Sequence, residues 1–61
     1  MKLAFVTVDG GNEMGQVELV DGRLVADSGV QSVVDAHRGT PDEFMLRYAG
    51  WSNGYVRAVK V

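Results

Sequence analysis

At 61 residues, 46% of them hydrophobic and none of them cysteine, the chain has room for one domain, residues 1–61, and no disulfide or thiolate metal site. Its formal net charge of -2 and the absence of any basic stripe argue against non-specific binding to nucleic acid. A domain this short buries only about 60% of its unfolded surface and gains roughly 3–5 kcal/mol from one core, so it calls for very good packing or a protein partner.

Residues 2–9, KLAFVTVD, are rich in β-branched and aromatic side chains and end at the turn signal Gly10-Gly11-Asn12. Leu3 and Phe5 fall on one face of the predicted strand, and Ala4, Val6 and Val8 on the other. A strand apolar on both sides is central in its sheet, or is covered on its second face by a partner. The apolar run Leu3 to Val6 is too short for a signal-peptide core or a membrane span. The expected compartment is therefore the cytoplasm, with no membrane partner.

Residues 16–27, QVELVDGRLVAD, carry the two-residue hairpin pattern, with Asp21-Gly22 between two strand-like runs. Such a turn pairs Val20 with Arg23, Leu19 with Leu24, Glu18 with Val25 and Val17 with Ala26. Val17, Leu19, Leu24 and Ala26 then share one face. Glu18, Val20, Arg23 and Val25 share the other, which is mixed rather than cleanly polar.

From residue 30 the period changes. Val30, Val33, Val34 and His37 follow i, i+3, i+4, i+7 spacing and predict a helix over residues 30–38. Asp27 or Ser28 is the candidate cap, and Gly39 the candidate left-handed terminator. Thr40-Pro41-Asp42-Glu43 is a stronger start, with a capping threonine, proline at the first helical position and glutamate closing a capping box. That second helix runs through FMLRYA to Gly50, with so little polar face that burial on more than one side is expected. Trp51 to Gly54 is a turn, and residues 55–61 a last strand.

The order β-β-β-α-α-β predicts an α+β fold. It is a four-stranded antiparallel sheet of order 4-1-2-3, with a helical hairpin on one face.

Candidate chemistry is sparse. His37 near Asp35 and Glu43 is the raw material of a general base, but residues two apart on a helix face different ways. His37 is better explained as a helix-end histidine beside the negative end of the dipole. One histidine and no cysteine do not make a protein zinc site. No Lys-Ser/Thr follows Gly10-Gly11, so that turn is not a phosphate loop. No cofactor, metal ligand or catalytic residue is assigned.

The segment Gly50-Trp51-Ser52-Asn53-Gly54-Tyr55 is the most informative. Trp51 and Tyr55 are amphipathic aromatics of the kind enriched in interfaces, and Trp51 equally suits a lid on a small core. Asn53-Gly54 suits positive φ. This stretch resembles the ending of short proteins of actinobacteria and their phages, a group with no assigned activity. The resemblance implies a phage or mobile-element setting, with a virion-associated location as the alternative to the cytoplasm, and transfers no functional residue.

The expected function is that of a non-enzymatic interaction or structural module, a homo-oligomer or bound to a larger protein. Trp51, Asn53, Tyr55, Val6, Val8 and Val25 are its candidate contact residues. The alternative is a small enzyme or ligand-binding domain with a site formed between subunits around His37.

Overall fold

A computed structural model describes all 61 residues. Strands β1 (Lys2–Thr7), β2 (Glu13–Val20) and β3 (Arg23–Ala26) are followed by a 3-10 turn (Ser28–Val30), helices α1 (Gln31–Ala36) and α2 (Pro41–Tyr48), and strand β4 (Val56–Lys60). The strands form one antiparallel sheet of order β3-β2-β1-β4, the predicted topology. β1 is central, and both its neighbours pair with it along most of its length.

The β2–β3 hairpin has the expected register, from Val20 opposite Arg23 to Val17 opposite Ala26. Asp21 and Gly22 both take positive φ, 49° and 75°, as a type I′ turn requires. β2, however, begins at Glu13 rather than at Gln16. Phe5 opposes Gly15 but Val6 opposes Glu13, so Met14 is the extra residue of a β-bulge. The chain leaving β3 folds back over this bulge. A Cβ on Gly15 would meet Asp27 Cβ at 3.1 Å, and a Cβ on Gly29 would collide with the Met14 carbonyl oxygen. Gly29 thus permits a backbone approach that a side chain would block, and Gly15 eases a tight one against Asp27.

The segment after β3 departs from the single helix expected. Val30 belongs to the 3-10 turn, α1 stops at Ala36, and His37 is extended, with φ -71° and ψ 134°. Neither predicted cap forms: no side chain caps the 3-10 turn or α1. Asp27 Oδ2 instead accepts the Gln16 N–H at 2.9 Å. Gly39 lies beyond the helix and does not terminate it. The cause is compositional. Valines in α1 are mediocre helix formers, and without a cap only the portion packed on the sheet stays helical.

α2 starts as predicted. Thr40 Oγ1 accepts the Glu43 N–H at 3.2 Å and Glu43 Oε1 accepts the Thr40 N–H at 3.1 Å. It ends at Tyr48, with Gly50 at φ 80° just beyond. The expectation of burial on several sides is corrected. Phe44, Met45 and Tyr48 are buried, whereas Leu46 is 77% exposed, because the sheet offers α2 one surface only.

The core lies between the helices and one sheet face. Leu3, Phe5, Val17 and Ala58 from the strands meet Val30, Phe44, Met45 and Tyr48. Phe44 and Tyr48 ring centroids are 4.6 Å apart, and Phe5 lies 5.7 Å from Tyr48. Each such fully buried side chain contributes about 1.5–3 kcal/mol.

Candidate interaction surface

Opposed residues of an antiparallel sheet share a face, so the pairing defines the second face completely. It carries Ala4 and Val6 of β1, Val20 of β2, Val25 of β3 and Val59 of β4. Lys2, Glu13, Gln16, Glu18, Arg23 and Arg57 are interspersed with them. Both helices pack on the opposite face, with the core. Ala4 is buried by its neighbours and Val6 is half-buried, while Val25 is 57% exposed. β1 is therefore apolar on two sides and covered by helices on one.

A second apolar patch lies at the end of the sheet. β1 stops at Thr7, so Val8 falls outside the strand in which it was expected. Val8 N–H nevertheless donates to Tyr55 O at 2.9 Å, which brings the two side chains to one shallow depression with Met14 and Val56. Tyr55 is 81% exposed. Sequence reasoning missed Met14. The available signal was Gly15, a glycine directly before a strand-like run, which marks bulges.

The remaining candidates separate. Trp51 is half-buried and turned to the core, 5.1 Å from Tyr48 and 6.3 Å from Phe5 between ring centroids. Its backbone extends the sheet: Ala58 N–H donates to Trp51 O at 2.8 Å and Gly50 N–H to Ala58 O at 3.1 Å. Asn53 spends its side chain on the turn, with Oδ1 accepting the N–H groups of Tyr55 at 2.9 Å and Val56 at 2.8 Å. That arrangement points Tyr55 outward while Trp51 points inward.

Around His37 the expected partners do not assemble. Asp35 Oδ1 accepts from Gln31 Nε2 at 2.9 Å, a bond within α1. His37 Nε2 lies 3.1 Å from the Thr40 carbonyl oxygen and donates to it, since a carbonyl only accepts. Its ring meets Phe44 edge-on at 5.3 Å, and Nδ1 is buried without a partner. His37 is the C-terminal cap residue of α1, as expected of a helix-end histidine, and its imidazole braces the α1–α2 connection. The Glu43 carboxyl is held below the usual carboxylate range. The backbone N–H of Thr40 does most of this, followed by its hydroxyl, with a smaller attraction from His37. Glu43 is thus a capping carboxylate that stays ionised, not a proton acceptor poised near neutrality. No three His, Asp or Glu side chains converge.

No family model, curated protein or solved structure matches the chain. No helix is long and apolar enough to cross a membrane.

Proposed function

We propose that this chain is a non-enzymatic protein-interaction module, working in an oligomer or on a larger protein, with the uncovered sheet face as its contact surface. One observation carries the reading: the central strand β1 is apolar on both faces and the helices cover only one. An exposed apolar patch bordered by charge is a usual form of a protein-binding site, and Ala4, Val6 and Val59 adjoin one another on this face beside the polar Glu13, Gln16 and Arg57. The exposed Val8, Met14 and Tyr55 enlarge the apolar surface at the sheet's end. The likeness of residues 50–55 to short actinobacterial and phage proteins supports a phage or mobile-element setting.

The test uses the purified chain as bait against proteins of its native cell, alongside Val6→Glu/Val59→Glu, with circular dichroism showing that the variant is folded. Saturable capture by the wild type and its loss in the folded variant are expected. Equal capture by both proteins, or none by the wild type, would reject the open face as the contact surface.

A further inference from the structure

The two edges of the sheet differ. The outer edge of β4 is occupied by the chain itself, through the Trp51–Ala58 and Gly50–Ala58 hydrogen bonds and a bridge between Ser52 and Arg57. The outer edge of β3 has no such cover. Hydrogen-bonded and non-bonded pairs alternate along an antiparallel ladder. Asp27 N–H donates to Gln16 O at 3.0 Å, so Val25 and Arg23 also bond inward to β2, while Leu24 and Ala26 oppose their β2 partners without bonding. The N–H and C=O groups of Leu24 and Ala26 therefore point away from the sheet, available to another strand.

The residues around those groups select the strand. Read along the edge, they are Arg23-Leu24-Val25-Ala26-Asp27, positive at one end, apolar in the middle and negative at the other. Laid antiparallel on a copy of itself with Val25 opposite Val25, this segment pairs Leu24 with Ala26 of the copy through the free groups of both. It also sets Arg23 against Asp27 of the copy at each end. Moving the register by two residues still matches the free groups but opposes Arg23 to Val25 or to Gly29, and the charge pairing is lost. Odd shifts would require groups already bonded to β2. One register alone satisfies backbone and charge together.

We propose that two copies of this chain join through β3 about a twofold axis at Val25, making one continuous sheet across the pair. The inference does not depend on the open-face reading, since it concerns the edge and would leave that face exposed and doubled in extent. Pairing consumes the free edge of both copies, and the β4 edge is covered along Val56–Ala58, leaving only Lys60 without a partner, so pairing through β3 closes at two.

Val25 faces its copy as a non-hydrogen-bonded pair, with Cα atoms about 4.5 Å apart, inside the range a disulfide spans. The chain has no cysteine, so Val25→Cys introduces a single thiol at an exposed position. Under mild oxidation with oxidised glutathione, which is reduced to two thiols as the protein disulfide forms, Val25→Cys should become predominantly a disulfide-linked dimer, and Val59→Cys on the same face should not. Adding Arg23→Asp places like charges opposite each other at both ends. It should slow cross-linking and raise the dimer dissociation constant in sedimentation by about tenfold, two charge pairs at roughly 0.7 kcal/mol each. A wild type that sediments purely as a monomer into the millimolar range would overturn the proposal. So would equal cross-linking at Val25→Cys and Val59→Cys, which is the mark of face-to-face or random collision.

Discussion

Trp51→Ala separates a core role from a presented one for the chain's single tryptophan. The half-buried ring contributes about 2 kcal/mol through the area it covers. Its contacts with Phe5 and Tyr48 add about 0.5 kcal/mol each. The sum, about 3 kcal/mol, falls at the low end of the usual loss for a large aromatic. It is comparable to the whole stability expected of so small a core, roughly 3–5 kcal/mol. For a domain near this length each kcal/mol moves the midpoint by about 4–8 °C, so Trp51→Ala should melt about 12–24 °C below the wild type. Circular dichroism at a backbone wavelength is the assay, because the substitution removes the fluorescent probe. Tyr55→Ala is the control: four residues along the same segment and 81% exposed, it should melt with the wild type. A cooperative Trp51→Ala transition within about 4 °C of the wild-type midpoint would refute the packing argument and return Trp51 to the contact residues.

Two further outcomes follow from local geometry. Gly54 has φ 92°, so Gly54→Val should lower stability by about 1–2 kcal/mol in chemical denaturation through left-handed strain, although the space around it is open. A Gly54→Val protein as stable as wild type would show that the turn reaches β4 by another conformation. Thr40→Ala should cost about 1 kcal/mol as a lost cap. Because the folded-state pKa of Glu43 is depressed, its contribution is present above the unfolded value and lost as pH falls through the folded one. Melting midpoints should therefore fall less on acidification in Glu43→Gln than in the wild type, and parallel curves would contradict the capping role.

The candidate surface was partly legible before any fold was known. The continuous apolar run of β1 and the mixed face of the hairpin identified Val6, Val25 and their neighbours as residues in need of cover, because side-chain direction in a strand follows from sequence parity. Met14 was not legible, since a bulge shifts parity within the strand that contains it. Nor was the separation of Trp51 from Tyr55. Both are large aromatics in a glycine-bounded turn, and only the folded chain, with Trp51 paired to Ala58 and packed on Phe5 and Tyr48, shows which points inward.

What the sequence determined by itself were the features governed by near neighbours. Asp21-Gly22 set the hairpin register because positive φ at both positions admits one turn. Thr40 to Glu43 set the start of α2 because both partners of the capping box lie within one helical turn. The tertiary structure decided the rest. α1 is cut short at Ala36, and His37 is drawn to Thr40 and Phe44 because a weak, uncapped valine helix yields to packing. α2 buries one side only because a single sheet face is on offer. Met14 bulges because the chain after β3 must cross it at Gly15 and Gly29, a close approach between residues distant along the chain that no local pattern encodes.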